Sequence, residues 1–380
     1  MKSDVVIVGG GVNGCALAYR LAKKGLKVIL VERRFLTSGA TGACGAGIRQ
    51  QWSTKENTKL AIDSVKHFEK FSRELGMDID FRQGGYLIIN HDEKEVEQSK
   101  KNIKMQRSLG LDVRFIDRDE INDIVPILDV EGMHAIGATF CPTDGHANPF
   151  KTTFALAKAA RRYGANIMTH TTLTDIVVEN HRVKKVKTTN GSIETDAVVN
   201  AAGAWSKKIA EMVGIDIPNT PFRKEIMVTE RLKLMFEAMV ISFKDGIYFS
   251  QQKEGHILGG LPIPEEREGY NFMPTFMFLT HMAKTLTRYV PSLKYINMVR
   301  HWTGFYDVTP DARPILGESE EVKGFIHCHG FSGHGFMLSP KVSEVLAEYI
   351  ADDKKDEILD SLSLKRFKTG KFTREKSVVG

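Results

Sequence analysis

Hydrophobic and polar positions at the start of the chain predict a strand, a helix and a second strand. Val5–Val8 is a short apolar run, glycines follow it, and an amphipathic segment reaches from Asn13 to Lys24. Gly25 ends that segment, and a second apolar run, Val28–Val31, comes next. Short apolar runs bounded by turn residues are typical of buried strands, and a 3.6-residue period is typical of a helix. The chain therefore opens with a predicted β-α-β unit.

The middle of the chain changes pattern several times. A strand is predicted at 86–89, a charged helix at 93–108, a turn-rich link at 141–149, and a helix from there to Gly164. Strands are then predicted at 176–178, 183–188 and 196–200, with a turn at Asn190-Gly191. Between 221 and 306 short strands surround one helical stretch, 274–289. We interpret this last region as a mostly antiparallel lobe that covers a site.

The end of the chain predicts one more strand, a glycine turn after Gly324–Gly330, and a helix through Ile350. These elements fit the first sheet, so its domain is predicted to be discontinuous. The predicted division is 1–85, 142–220 and 307–365 for a dinucleotide-binding domain, 86–141 and 221–306 for a substrate-binding domain, and 366–380 for a C-terminal tail.

Composition narrows the class of protein. Of the 380 residues, 42% are hydrophobic and 26% are charged, which favours a soluble globular protein. The chain has no run near the roughly 18 apolar residues that span a bilayer, and no signal-peptide pattern precedes Val5, so we expect a cytoplasmic protein without a membrane span. The four cysteines are scattered and are expected to be small buried residues.

The net charge of +6 raises the question of nucleic-acid binding. Its basic residues are spread along the chain, and the only dense run is Lys365–Lys376. We expect no nucleic acid as a partner, and we expect this tail to be solvated or to face a protein partner.

The glycine turn carries the first chemical signal. Gly9, Gly11 and Gly14 have the G-x-G-x-x-G spacing between a strand and a helix, which serves a tight turn, the approach of a pyrophosphate, and close helix packing. Glu32 ends the next strand about twenty residues on, where an acid accepts hydrogen bonds from ribose hydroxyls. This context favours a bound dinucleotide over an empty turn.

Two later motifs favour FAD over a nicotinamide. Thr195–Ser206 is a predicted strand ending in small residues, which permits close approach to a cofactor. Gly330–Gly335 is a second glycine turn that begins a helix, and the partial positive charge of a helix N-terminus suits a reduced, anionic flavin.

Together the motifs resemble the D-amino-acid-oxidase-like flavoproteins, and within them the group of the sarcosine oxidase β-subunit and the dye-linked L-proline dehydrogenase β-subunit. The resemblance is carried by Val5–Gly14, Ala43–Ser53, Gly84–Leu87, Cys141–Pro149, Val198–Ser206, Thr309–Gly317 and Gly330–Pro340. It implies an α/β (α+β) fold: a discontinuous, Rossmann-like FAD-binding domain with a second, mostly antiparallel β domain that holds the substrate over the flavin.

The resemblance also implies a site. Arg49 is expected to bind flavin or a substrate carboxylate, the alternative being a structural salt bridge. Tyr248 and Tyr306 are expected either to contact substrate or to belong to the core, and Arg49, Tyr248 and Tyr306 form the predicted catalytic set. The residues expected to hold FAD are Gly9, Gly11, Val12, Asn13, Gly14, Glu32, Arg33, Ala43, Gly47, Ile48, Arg49, Val177, Ala201, Ala202, Gly203, Trp205, Gly304, Gly330, Gly333, His334, Gly335, Phe336 and Met337.

Several positions depart from the family pattern. Gly304 stands where monomeric sarcosine oxidases carry a flavin-linked cysteine, so FAD is expected to be non-covalent. Ile257 and Met337 stand where those enzymes carry lysines for oxygen reactivity and for the substrate carboxylate, and the carboxylate-binding arginine that glycine and D-amino-acid oxidases place near Tyr306 is missing. We therefore expect a dehydrogenase in a hetero-oligomer with an electron-transfer subunit, with FMN or an iron–sulfur centre only at an interface with, or within, that partner.

The histidine-rich stretch does not predict a metal site. His327 and His329 share one face of a predicted strand and Cys328 the other, while His334 lies in the glycine turn. His334 is expected beside the flavin, and His146 is expected to be a turn residue.

The predicted function is oxidation of the C–N bond of a small amino or imino acid, such as L-proline or sarcosine, by hydride transfer to flavin N5. Other hypotheses remain open. They are a D-amino acid or glycine oxidase, a 2-hydroxy-acid or glycerol-phosphate dehydrogenase, the flavin domain of a tRNA-modifying enzyme, and a flavin-bearing subunit whose chemistry sits in a partner.

Overall fold

The computed structural model describes residues 1–264, 266, 268–370 and 372–378. The strands are β1 (Val5–Val8), β2 (Val28–Val31), β3 (Gly47–Ile48), β4 (Tyr86–Asn90), β5 (Arg114–Asp117), β6 (Gly137–Cys141), β7 (Gly145–His146), β8 (Asn166–Met168), β9 (Leu173–Glu179), β10 (Arg182–Thr188), β11 (Gly191–Glu194), β12 (Ala197–Asn200), β13 (Thr220–Arg231), β14 (Met239–Ser242), β15 (Tyr248–Gln251), β16 (His256–Gly260), β17 (Met298–Val308), β18 (Ile315–Glu318) and β19 (Phe325–His329). The helices are α1 (Val12–Lys23), α2 (Ala40–Ala43), α3 (Lys55–Leu75), α4 (Glu93–Ser108), α5 (Ile121–Ile124), α6 (Pro149–Arg162), α7 (Ser206–Glu211), α8 (Phe276–Tyr289), α9 (Gly335–Asp352), α10 (Glu357–Ser361) and α11 (Lys365–Thr369).

The first sheet has six strands in the order β18-β19-β12-β1-β2-β8. All neighbours pair in parallel except β18, which is an antiparallel edge strand. The central strand β1 consists of four buried apolar residues, as expected for a parallel strand that is covered on both faces. Helix α1 packs between α6 and α9 on one face, and a three-stranded sheet, β11-β10-β9, covers the other.

The second sheet has eight strands in the order β17-β13-β16-β15-β14-β4-β6-β5. Every pair is antiparallel except β14 with β4. Its strands come from two separate segments, 86–141 and 220–308. The mixed α/β fold, with one parallel and one mostly antiparallel sheet, confirms the predicted fold class.

The two faces of the second sheet serve different purposes because side chains alternate along a strand. In β4, Leu87 and Ile89 belong to the core under α8, whereas Tyr86 and Ile88 face the opposite side. Helix α8 buries one stripe of its surface, Phe278, Met282, Leu286 and Tyr289, against that core. The face with Tyr86 therefore remains for a cavity between the two sheets.

None of the helices in the described ranges combines the length and apolar character that crossing a membrane requires.

The structure corrects the expectation of a solvated C-terminal tail. Arg366 in α11 is buried and donates to both carboxylate oxygens of Asp311, at 2.8 and 3.1 Å. Glu375 and Ser377 are buried as well, and their contacts are described below. The basic run predicted exposure because lysines such as Lys365 do project into solvent, whereas Arg366, Glu375 and Ser377 are buried among exposed neighbours.

We predict that Arg366→Ala strongly destabilises the protein, because breaking a buried ion pair leaves the carboxylate of Asp311 without its partner. Removing one member of such a pair costs about 3–5 kcal/mol of unfolding free energy. Chemical denaturation of the FAD-saturated protein measures the loss. The matched control is Lys365→Ala, which removes an exposed pair with Glu320 and should change little. Equal effects of the two substitutions would contradict the assigned role of Arg366.

Candidate active site

A long cavity runs from the glycine turn after β1 to the inner face of the second sheet. Its walls come from both sheets, from the loop before β3, and from the turn before α9. The cavity thus joins the predicted cofactor residues at one end to predicted substrate residues at the other.

The glycine turn allows a very close approach of backbone segments. Gly9 has a φ of 116°, and a Cβ atom there would lie 2.4 Å from the carbonyl oxygen of Ala201. A Cβ atom on Gly14 would lie 2.0 Å from the carbonyl oxygen of Gly9. Helix α1 starts directly at the cavity after Gly11, so its N-terminus can favour an anionic group there.

Glu32 lines the cavity at the end of β2 and also supports the turn. Its carboxylate accepts hydrogen bonds from the backbone N–H groups of Gly10 and Arg34, both at 2.8 Å. Nearby, the guanidinium of Arg33 lies 4.0 Å from the ring centroid of Trp205, and both residues line the cavity. An acid and an aromatic surface therefore face the same end of the cavity.

The start of α9 closes the middle of the cavity. Gly333 has a φ of 96°, and a Cβ atom there would lie 2.3 Å from the ring of Tyr306. Asn13 of α1 donates to the carbonyl oxygen of Gly335 at 3.2 Å, which joins the starts of the two helices. The ring of His334 packs at a tilt against Trp52 with ring centroids 4.6 Å apart, and burial lowers the pKa of His334 to about 4. His334 is therefore neutral at neutral pH.

These residues fit FAD. The glycine turn leaves no space for side chains, so the pyrophosphate of a dinucleotide can approach the backbone closely. The N-termini of two helices also meet there. Asn13 Oδ1 and His334 Nε2 are buried and have no hydrogen-bond partner among the residues that the structure describes. Buried polar atoms are normally paired, so these two suit a polar ligand.

Three tyrosines line the other end of the cavity: Tyr86, Tyr248 and Tyr306. Burial raises the pKa of Tyr86 and Tyr248 well above the usual value and raises that of Tyr306 to about 12. All three hydroxyls therefore stay neutral at neutral pH. Met239 and Ile241 of β14 complete an apolar wall beside them.

Arg49 lines this end and is only 3% exposed. Its guanidinium donates to the carbonyl oxygens of Gln51 at 3.1 Å and Ser377 at 2.5 Å, and lies 3.9 Å from the ring centroid of Trp52. No carboxylate in the described ranges lies within 4 Å of it, so the alternative of a structural salt bridge is not seen. Two backbone contacts use only part of the five N–H donors of an arginine.

Lys224 was missed from the sequence. It lies in β13 opposite Gly304, lines the cavity, and places Nζ 5.6 Å from the ring centroid of Tyr306. Burial lowers its pKa, while the charge of Glu266 opposes that shift. The available signal was a lysine in the strand next to the Gly304–Tyr306 strand, but only the register of the pair identifies it.

Ile257 lies elsewhere than expected. Its side chain is fully buried in the core beneath α8 and does not line the cavity. It therefore gives no information on charge beside a flavin, whereas Lys224 does place a cation in the cavity. The position of Ile257 therefore does not support the prediction of a dehydrogenase, which rests on other observations.

Most of the predicted FAD residues line the cavity. Four lie outside its wall: Gly14, Ile48, Val177 and Gly330. Gly14 packs on Gly9, Ile48 is in the core, and Gly330 lies behind the turn. Val177 is paired within the small covering sheet, and Leu173, at the start of the same strand, lines the cavity instead. The predicted residues that do line it are Gly9, Gly11, Val12, Asn13, Glu32, Arg33, Ala43, Gly47, Arg49, Ala201, Ala202, Gly203, Trp205, Gly304, Gly333, His334, Gly335, Phe336 and Met337.

A buried polar network lies behind the cavity. Asp307 lines the wall and accepts hydrogen bonds from Asn219 Nδ2 at 2.9 Å and from the N–H of Gly330 at 2.6 Å. Asn219 Nδ2 also lies 3.0 Å from His329, whose ring contacts that of His327. In the described part of the chain no three His, Cys, Asp or Glu side chains form a group that could hold a metal ion.

The chain belongs to the FAD dependent oxidoreductase family, whose model matches residues 4–349. Among curated proteins it is similar to the sarcosine oxidase subunit beta of Arthrobacter sp, with 28% identity over 377 residues, covering 98% of this chain and 93% of the relative.

Solved structures are similar over nearly the whole chain. L-proline dehydrogenase from P. horikoshii has a TM-score of 0.93 and 39% identity, covering 98% of this chain and 99% of its own. Glycine oxidase from Bacillus cereus ATCC 14579 has a TM-score of 0.84 and 28% identity, covering 95% and 98%. The chain is thus an FAD-dependent oxidoreductase related to enzymes of amino acid oxidation.

We predict that Asp307 makes stability fall as pH rises. Burial raises the pKa of Asp307 to about 7, above the value of about 3.9 for an unfolded aspartate. The folded state then binds a proton more tightly, so this contribution to stability is complete below pH 4 and is lost as pH rises through 7. Between pH 5 and pH 8, the free energy of unfolding should therefore decrease less in the Asp307→Asn variant than in the wild type.

Urea denaturation at several pH values, with FAD in excess, measures this difference in slope. The control is Asp196→Asn, which changes an exposed carboxylate and should keep the wild-type slope. If Asp307→Asn and the wild type have the same slope, Asp307 ionises as an ordinary carboxylate and the prediction is wrong.

Proposed function

We propose that this protein oxidises the C–N bond of a small amino or imino acid, with L-proline and sarcosine as the first candidates. The observation that carries the proposal is the substrate end of the cavity, where Arg49 and Lys224 lie beside three neutral tyrosines and an apolar wall. Two cations suit a carboxylate, and the apolar wall suits a small side chain or ring. The names of the relatives, sarcosine oxidase, L-proline dehydrogenase and glycine oxidase, support the same substrate class.

Each part of the site has a role in this proposal. FAD, when bound, supplies an acceptor at N5 for the hydride on the carbon beside the substrate nitrogen. Arg49 and Lys224 bind the carboxylate and fix the position of that carbon. The tyrosine hydroxyls stay uncharged, so they do not bind the carboxylate as a cation does. The tyrosine rings exclude water from this end of the cavity. The N-terminus of α9 faces the cofactor and favours negative charge there.

The proposed FAD is non-covalent. Gly304 lines the cavity, and a Cβ atom at this position would lie 2.8 Å from Cβ of Ala43. A cysteine there would require Ala43 to move, so the position suits glycine alone. The predicted cofactor residues that line the cavity, from Gly9 to Met337, would hold the cofactor by contacts rather than by a thioether.

We further propose that the chain works as a β-like subunit of a dehydrogenase complex. The sarcosine oxidase relative is itself one subunit of an enzyme, and the relative with 39% identity is a dehydrogenase. Electrons would then pass to a partner subunit, which would hold any FMN or iron–sulfur centre. The glycine oxidase likeness supports a second candidate, an oxidase that passes electrons directly to oxygen.

We predict that L-proline or sarcosine bleaches the flavin absorbance of the purified, FAD-loaded protein under anaerobic conditions, because the substrate reduces the cofactor. Stopped-flow absorbance measures the rate for L-proline, sarcosine, glycine, hydroxyproline isomers and D-amino acids. Reoxidation of the reduced protein should be much faster with an artificial dye than with air.

The outcomes separate the hypotheses. Reduction by glycerol phosphate or a 2-hydroxy acid, with no response to amino acids, would overturn the C–N proposal. Rapid reoxidation by air with stoichiometric peroxide would identify an oxidase. The rate of peroxide formation and the rate of reoxidation by air are compared with those of free reduced flavin, which serves as the baseline.

We predict that Arg49→Ala raises KM with little loss of FAD, because a charge-assisted contact to the substrate carboxylate is removed. Such contacts contribute about 2–3 kcal/mol, which is roughly a 30- to 150-fold effect. Arg49→Lys should recover only part of it, since a single ammonium cannot form the two parallel bonds of a guanidinium. Lys224→Met should raise KM as well.

Steady-state kinetics with a dye acceptor and FAD content per chain provide the readouts. The matched control is Lys284→Met on the exposed face of α8, which should leave KM unchanged. Wild-type KM in Arg49→Ala would remove Arg49 from the substrate site, and loss of FAD would place it at the cofactor.

A further inference from the structure

We propose that the C-terminal segment 372–378 forms part of the substrate site, and that Glu375 is a positioning residue that sets the orientation of Arg49. This inference rests on the proposed function of Arg49 as the carboxylate-binding residue. The segment reaches the cavity itself, because Val378 is part of the wall. The basic residues of this segment had predicted that it would be exposed.

Glu375 is 1% exposed and accepts a dense set of hydrogen bonds. One carboxylate oxygen accepts from the N–H and the hydroxyl of Ser53 and from the N–H of Ser377. The other accepts from the N–H of Thr54 at 3.1 Å, from its hydroxyl at 2.6 Å, and from the side chain of Asn57 at 3.3 Å. A buried carboxylate with this many donors is fixed in position.

Apart from Ser377, these donors lie at the start of α3, a helix of 21 residues. Thr54 is the N-cap residue, but its side chain does not cap the helix; its hydroxyl donates to Glu375 instead. The helix dipole favours a negative charge at this end. Glu375 thus places a carboxylate at the N-terminus of α3 from a position far along the chain, and its bonds to Ser53 and Thr54 tie the tail to the residues that precede the helix.

Those preceding residues lead directly to Arg49. Trp52 precedes Ser53, donates from its indole N–H to the carbonyl oxygen of Arg49 at 3.0 Å, and lies against the guanidinium. The carbonyl oxygen of Ser377, two residues after Glu375, accepts from the same guanidinium. Arg49 is therefore oriented by Trp52 on its face and by Gln51 and Ser377 at its edge.

Glu375 also interacts electrostatically with His334, on the flavin side of the cavity. Burial lowers the pKa of His334, and the negative charge of Glu375 opposes this shift by raising that pKa. The ring of His334 packs at a tilt against Trp52, the same side chain that contacts the guanidinium of Arg49, and it lines the cavity. Glu375 therefore lies where the starts of α3 and α9 and the guanidinium of Arg49 meet.

A purely structural role for Glu375 makes a different prediction. A helix cap contributes to stability, and its loss lowers the melting temperature without changing substrate affinity. A positioning role raises KM and weakens carboxylate binding, while kcat changes less. The chain offers a matched control, because Asp92 caps α4 through the N–H of Glu95, away from the cavity.

The test compares Glu375→Gln, Glu375→Ala, Asp92→Ala and Lys376→Ala in the full-length, FAD-loaded protein. We expect both Glu375 variants to raise KM at least tenfold and to weaken binding of pyrrole-2-carboxylate, a non-oxidisable probe, by a similar factor in a flavin absorbance titration. Asp92→Ala should lower the melting temperature only, and Lys376→Ala, whose side chain is exposed, should change neither. Glu375→Gln keeps the side-chain shape if Glu375→Ala does not fold.

A readout without substrate separates this inference from the proposed function. Phenylglyoxal labelling of Arg49, followed by mass spectrometry, should be several-fold faster in the Glu375 variants than in the wild type. Faster labelling in a protein that oxidises no amino acid would retain the positioning role and reject the function. Unchanged labelling, or a KM within twofold of the wild type with only a lower melting temperature, would show that Glu375 has a structural role alone.

Discussion

The structure depends on the lack of space where β1, α1 and β12 meet. Gly9 lies against the carbonyl of Ala201, and Gly14 lies against the carbonyl of Gly9, so neither position accepts even a methyl group. This contact brings the start of α1 and the end of β12 to the same point. Asn13 then joins the start of α9 to them, and the cavity is formed between these backbone segments. The positions of the cofactor end and of the substrate end of the cavity therefore both depend on this junction.

Local pattern predicted those parts of the fold whose burial is local. Continuous apolar runs identified the parallel strands, and the glycine spacing followed by Glu32 identified the nucleotide end of the cavity. Both signals arise because a strand or a turn imposes its own spacing on the sequence. Helix α3 was not predicted at all, although Gly76 marks its end with a left-handed conformation. An amphipathic period is nevertheless present in the sequence of this helix, with buried residues such as Leu60, Val65 and Phe68 on one face.

Long-range partners could not be predicted from spacing. Lys224 faces the cavity because β13 pairs with β17, and the register of that pair is a property of the folded sheet. Glu375 is buried although basic residues surround it, since its partners at Ser53 and Thr54 lie at the far end of the chain. Ile257 and Leu258 are neighbours in one strand and point to opposite sides of the sheet, so a shift of one residue in a motif comparison exchanges one face of the sheet for the other.

The parallel pair of β4 with β14 has a consequence for how the chain acquires its structure. The pair joins residues near 86 to residues near 239, and the chain between them supplies strands β8 and β12 of the first sheet. Contacts between such distant residues close large loops, and they form slowly compared with local turns. Neither half of the eight-stranded sheet can be excised without exposing an unpaired strand edge that invites aggregation. The two lobes are therefore expected to form in one cooperative process, and a fragment that carries only one of them should be an unstable species during synthesis.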